Sequence, residues 1–314
     1  MSQFLHHLEL SAPLFSLVLI GYLLAASGRF PKAVSDGLAK FVFGVAVPAL
    51  LFRLMSDFSA LPPVDSRLLI AFFGGCLIVF VLGRLAAAYV FRLDGVSQSV
   101  FALGGVFSNN VLLGVPIAKS TLGDAAMPAV ALVLVFNALT LWTLATVSVE
   151  WARHGEFSLK GFGKTAKSVL TNPIVAAILT GSAWGLSGWS LPFVIDEPLR
   201  LISQSASPLA LVVVGMGLAE YGVRKGWREG VAITGFKLVL QPLVVWGLAV
   251  LLGLPPIETQ AVVLLASLAV GVNVYLMARE FGAMQGPVAT SLVLSTVLAA
   301  LTVPLVLTLL GAAG

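Results

Sequence analysis

Ten apolar runs alternate with short polar connections, at about residues 10–27, 37–55, 67–91, 97–118, 125–149, 169–188, 199–219, 230–252, 259–278 and 288–310. Each approaches the roughly 20 mostly apolar residues that a helix needs to cross a bilayer. Runs such as Leu68–Tyr89 and Val231–Leu252 are continuous, whereas a spanning β-barrel shows short alternating segments. The pattern predicts an all-α membrane protein with ten transmembrane helices. The only polar connection of any length runs from Glu150 to Ser168.

Composition agrees. Of 314 residues, 59% are apolar and 10% charged, with a mean hydropathy of +1.03. A soluble domain carries roughly 25% charged residues. A soluble enzyme, a nucleic-acid binder and a disordered chain are excluded, and the lipid bilayer becomes the expected partner. The net charge of +4 reflects topology. Connections after spans 1, 3, 5, 7 and 9 carry most basic residues, including Arg29, Arg92, Arg153, Lys164, Lys225 and Arg279. The other side holds Arg67, Lys119 and Arg200, with Arg53 at a span end. By the positive-inside bias the odd connections are cytoplasmic, which puts both termini on the non-cytoplasmic side of a bacterial inner membrane. The first twelve residues lack Lys and Arg, unlike a signal peptide, so the first run reads as a retained span. The single Cys76 permits no intrachain disulfide.

The two halves resemble each other. Pro48 (VAVPALLF) has a counterpart in Pro208 (SASPLALV), and Gly123 and Pro128 recur as Gly282 and Pro287. Each half, 1–155 and 156–314, holds an odd number of spans, so the second must be inserted upside down. That is the inverted-repeat plan of secondary transporters.

Within the spans no Asp or Glu lies near a centre, and His6, His7 and His154 lie outside them. Paired acids, a His-containing triad and a metal cluster are therefore missing at membrane depth, and no cofactor is expected. Arg84 and Lys237 lie towards the cytoplasmic ends of spans 3 and 8 and are expected to snorkel. Polar positions concentrate in spans 4 and 9. Span 4 places Ser108, Asn109, Asn110, Gly114 and Pro116 close together, and Gly–x–Pro predicts a break in that helix. Span 9 holds Ser267, Gly271, Asn273 and Tyr275. A helix broken at mid-membrane presents the N-terminus of its second segment, with free N–H donors and about half a positive charge. The amides of Asn109 and Asn273 can donate and accept. Together they suit a carboxylate without a buried cation, which costs roughly 3 kcal/mol even on permissive scales. A simple kink and ordinary interhelical hydrogen bonds are the competing reading.

Asn109 to Pro116 (NNVLLGVP) resembles the Asn–x–x–x–x–Gly–x–Pro signature of the auxin efflux carrier family. Asn273–Val274–Tyr275, a few residues before Ala278 and Gly282, resembles that family's second-half motif. VPALLF at 47–52, SPLALVVVGMGLA at 207–219 and SLVLSTVLAALTVPL at 291–305 support the match. The resemblance implies a fold shared with bile-acid/sodium symporter-like carriers: two inverted five-helix repeats with helices 4 and 9 crossing at broken centres. It also implies a transport domain of helices 3–5 and 8–10. Helices 1, 2, 6 and 7 would form a scaffold that often makes a homodimer. The family usually has a proline four residues before the second-half Asn, where this chain has Ala269. Either Gly271 supplies the flexibility there or helix 9 is less broken.

The expected function is transport, not catalysis: a carrier of auxin-like or malate- or malonate-like anions, working by an elevator-type alternating-access mechanism. Asn109 and Asn273 would contact the anion, Asn110, Tyr275 and Asn137 complete the candidate substrate set, and Gly114, Pro116 and Gly271 shape the broken helices. With no obvious coupling acid, a uniporter is simplest, and an inside-negative potential of 100 mV favours exit of a monovalent anion by about 2.3 kcal/mol. A sodium- or proton-coupled dicarboxylate importer is the alternative, and an anion channel the alternative from another class.

Overall fold

The computed structural model describes residues 2–56, 65–154, 173–221 and 226–311. The 155/156 boundary between the halves and most of the Glu150–Ser168 connection lie outside the described residues. Among the described residues every named element is helical. The helices are α1 Ser2–Ala26, α2 Lys32–Phe41, α3 Val47–Ser56, α4 Arg67–Tyr89, α5 Gly95–Gly104, α6 Val115–Leu122 and α7 Met127–His154. They continue as α8 Pro173–Ser187, α9 Phe193–Tyr221, α10 Trp227–Gly235, α11 Gln241–Leu251, α12 Pro256–Ser267, α13 Val272–Phe281 and α14 Gln285–Leu309. Single π turns join α2 to α3 (Val42–Ala46) and α10 to α11 (Phe236–Leu240), and a third, Asn110–Gly114, leads into α6.

Among the described residues, five helical stretches are long and apolar enough to cross a membrane: Lys32–Arg53, Arg67–Tyr89, Phe193–Ala219, Trp227–Leu251 and Gln285–Leu309. A sixth arises if the two parts of α1, bent by 46°, count as one span. Pro13 lies just beyond that bend, where its missing N–H and its ring disrupt the turn before it. These helices are apolar on their outer faces too. Leu77, Ile78, Val81, Leu82 and Leu85 of α4 and Val297, Leu301 and Leu305 of α14 are exposed, while Leu68, Phe72 and Val79 of α4 and Val303 of α14 are buried. Hydrophobic surface on both sides suits lipid outside and protein inside. The molecule is a multi-pass membrane protein.

Close helix approach is built from glycine. A Cβ at Gly21 of α1 would lie 2.0 Å from the carbonyl oxygen of Val212, and one at Gly215 of α9 would lie 1.9 Å from that of Val18. The α1 and α9 backbones therefore touch along their crossing. Gly181 and Gly185 of α8 do the same against Phe52 and Met55 of α3. In lipid, where apolar side chains gain nothing by leaving solvent, such backbone approach drives helix association. Arg53 fastens α3 to α9 through two contacts with Asp196, Nε to Oδ1 at 2.6 Å and Nη2 to Oδ2 at 3.2 Å.

Candidate functional site

Two helices stop in the middle of their apolar runs. Regular α-helix ends at Gly104, and helical backbone resumes with the Asn110–Gly114 π turn; further on α-helix ends at Ser267 and resumes at Val272. The interruptions face each other as an antiparallel bridge between Ser108 and Val270. The N–H of Asn109 donates to the Ala269 carbonyl at 3.0 Å, and that of Gly271 donates to the Phe107 carbonyl at 2.8 Å.

Backbone freed inside a membrane must find protein partners, and here it does. The Val270 N–H donates to Ser295 Oγ of α14 at 3.0 Å. The carbonyl of Val106, just past α5, accepts from Gln241 Nε2 at 2.8 Å. The carbonyl of Ala266, in the last turn of α12, accepts from Lys237 Nζ at 2.6 Å. Span 9 is thus interrupted despite Ala269. The Cβ absent from Gly271 would meet Phe107 Cδ1 and the Ser108 carbonyl oxygen, both at 3.1 Å, so glycine there permits the close crossing.

Gly114 and Pro116 stand downstream of the first interruption. Gly114 closes the π turn, and a Cβ there would come within 2.8 Å of Leu265 and 2.9 Å of Leu268, the residues leading into the second interruption. Pro116 is the second residue of α6, directly after that π turn.

Asn109, Asn110 and Asn137 are buried, with Asn110 at 2% exposure. Asn110 Nδ2 donates to Asn137 Oδ1 of α7 at 3.2 Å, which brings two of the candidate residues together. Asn110 Oδ1 and Ser108 Oγ are buried without a hydrogen-bond partner. Asn273 and Tyr275 lie in the first turns of α13, half-buried, just past the bridge. The first N–H groups of such a helix have no partner within it, and Gly271, its N-cap, supplies no side-chain cap. Amide donors, unpaired acceptors and the N-terminus of α13 thus flank the Ser108–Val270 bridge along the chain. Among the described residues no three His, Cys, Asp or Glu side chains are grouped to hold a metal ion.

Lys237 corrects an expectation. It does not snorkel: its exposure is 0%, and its ammonium points inward to Ala266. Reaching the interface would have left the Ala266 carbonyl without this donor, and the side chain is long enough to cap it. Arg84, half-buried, also bonds within the protein, to Ser148 Oγ at 2.7 Å and Gln98 Oε1 at 3.4 Å. Lys237 and Gln241 both serve the crossing, and sequence reasoning missed them. The signal was present, since a lysine and a glutamine four apart inside an apolar run share one helix face.

Comparison with known proteins fits this geometry. Residues 6–169 and 161–307 match the family described as membrane transport protein. A Rhizobium meliloti (strain 1021) protein provisionally named a malonate transporter is 27% identical over 295 residues, covering 93% of this chain and 92% of its own. An uncharacterised transporter of Methanothermobacter thermautotrophicus is 25% identical, covering 92% and 93%. Auxin efflux carrier component 8 of Arabidopsis thaliana is 21% identical, covering 88% of this chain and 89% of its own. With both matches together spanning most of the chain, the protein belongs to the membrane transport protein family, whose activity is transport and whose relatives include the auxin efflux carriers that Asn109–Pro116 resembles.

Proposed function

We propose that the protein carries small organic carboxylate anions, malonate-like or auxin-like, as an exporting uniporter. The observation that carries this reading is the pair of interruptions bridged at Ser108 and Val270, with buried amides and a helix N-terminus beside them. Unwound segments with half-helix N-termini suit a substrate carboxylate near the bilayer midplane. The names of two relatives, a malonate transporter and an auxin efflux carrier component, support the same substrate class. In this reading the helices group into ten crossings as two inverted repeats. The bridged pair moves with its neighbours as an elevator against a scaffold that pairs two copies, in a bacterial inner membrane with both termini outside.

The test is counterflow in proteoliposomes. Vesicles preloaded with unlabelled malonate or indole-acetate should accumulate the labelled anion saturably, without a sodium or pH gradient. Uptake that requires a sodium or proton gradient supports the coupled importer instead. Single-channel currents without saturable exchange support a channel. No counterflow with any carboxylate in a panel overturns the reading.

A further inference from the structure

Carriers with discontinuous helices coordinate a driving cation through unwound carbonyls and the C-terminal ends of half-helices. In this chain the two such ends are the Val106 carbonyl after α5 and the Ala266 carbonyl in the last turn of α12, and both already have a donor. Both donors come from one stretch. Lys237 lies in the π turn Phe236–Leu240 and Gln241 follows it directly, and both are fully buried. A π turn shifts the facing of side chains within a helix and recurs at functional sites. Among the described residues no carboxylate pairs with the ammonium. From α4 the titratable group facing it is the Cys76 thiol, and α12 has as its only acid Glu258, near the opposite end of that helix. Neither α11 nor α14 carries a charged residue, and Arg228 and Glu229 of α10 lie in that helix's first turn, well before Lys237. The charge of Lys237 is thus set against the negative end of α12, about half an elementary charge.

We propose that the Lys237 ammonium is a resident cation occupying the place that an exchangeable coupling ion would take at the crossing, with the Gln241 amide as its partner on the other half-helix. The charge that fastens the α12 end is covalently part of the carrier and never leaves, so the cycle needs no sodium. This deepens the uniport reading and rests on it. One further observation marks the cradle as fit for an ion once the ammonium is removed: Gln241 Oε1 is buried without a hydrogen-bond partner, an oxygen ligand of the kind hard cations take.

The experiment measures thermal melting of the full chain in lipid nanodiscs, in choline, sodium, lithium and potassium chloride at equal ionic strength. Wild-type midpoints should agree across the four salts within about 1 °C, since nothing binds. Lys237→Ser should melt roughly 5 °C lower in choline and recover at least half of that loss, saturably, in sodium or lithium. Lys237→Arg should remain indifferent to the salt. Saturable stabilisation of the wild type by one alkali cation overturns the proposal, as does a Lys237→Ser loss equal in all four salts, or no loss at all. Where Lys237→Ser yields no folded protein, Lys237→Gln purified in sodium and then exchanged into choline reads out the same dependence. No substrate enters this experiment, so its failure and that of the counterflow test are distinguishable.

Discussion

The backbone N–H of Asn109 donates to the carbonyl of Ala269 across 3.0 Å, joining the interrupted helices of the two halves directly. Ala269 contributes its carbonyl to this contact, and Leu268 before it has extended backbone (φ −69°, ψ 161°), the conformation a residue preceding proline prefers. Ala269→Pro should therefore fold, with stability within about 1 kcal/mol of wild type. Thermal melting checks this; a loss of the folded state would mean that the Ala269 N–H is also needed.

Asn109→Ala and Asn273→Ala should each abolish malonate or indole-acetate counterflow while the purified protein keeps its helical content. Full activity in both variants would remove these residues from the site. Asn110→Ala and Asn137→Ala should be non-additive, because each single change strands a buried partner while the double change removes both groups. The coupling in a double-mutant melting cycle should be about 1 kcal/mol.

Gly21→Leu and Gly215→Leu should each prevent α1 from packing on α9, because a side chain at either position meets a carbonyl oxygen of the facing backbone. A loss above about 4 kcal/mol, or no folded protein, is expected. Gly247→Ala is the control. Nothing lies within 4 Å of a Cβ there, and alanine in a helix interior should be neutral or stabilising by up to about 1 kcal/mol. Monodispersity in detergent and melting temperature separate the two outcomes.

Asp94 caps α5: its carboxylate accepts from the N–H groups of Val96 and Ser97 and from Ser97 Oγ. These bonds, the Ser97 side chain foremost, hold its carboxyl below the usual carboxylate range. A lowered folded value means that the contribution is present at neutral pH. It is lost as pH falls below the unfolded value near 4 and through the lowered folded one. Asp94→Ala should cost about 1 kcal/mol at pH 7, and the difference from wild type should shrink in melts carried towards pH 3.

Topology is testable because the single native thiol, Cys76, is buried. In a Cys76→Ser background, Arg279→Cys should react with a membrane-impermeant maleimide only from the cytoplasmic side and Lys119→Cys only from the opposite side. Labelling from exchanged sides would invert the assignment made from the basic connections, and labelling of both from one side would abolish it.

The apolar runs and the motif at Asn109–Pro116 were legible in the chain because bilayer thickness sets run length. Glycine and proline also weaken a helix locally, whatever its tertiary context. Lys237 was equally visible as a letter, but its direction was not. Whether a long cationic side chain reaches outward to headgroups or inward to a carbonyl depends on which helix ends lie within its reach. The position of the first break was similarly hidden. Gly114 and Pro116 mark its downstream edge, while the non-helical residues Phe107 to Asn109 are tied by backbone hydrogen bonds to Ala269 and Gly271.

Sequence by itself determined a helical membrane protein, its family resemblance and the polar residues available at depth, since these follow from composition and local backbone chemistry. The tertiary structure decided that two interruptions pair, that Lys237 and Gln241 cap their carbonyl ends, and that Asn110 meets Asn137. Those facts depend on contacts between distant segments, where unsatisfied backbone groups inside a membrane select their partners by reach.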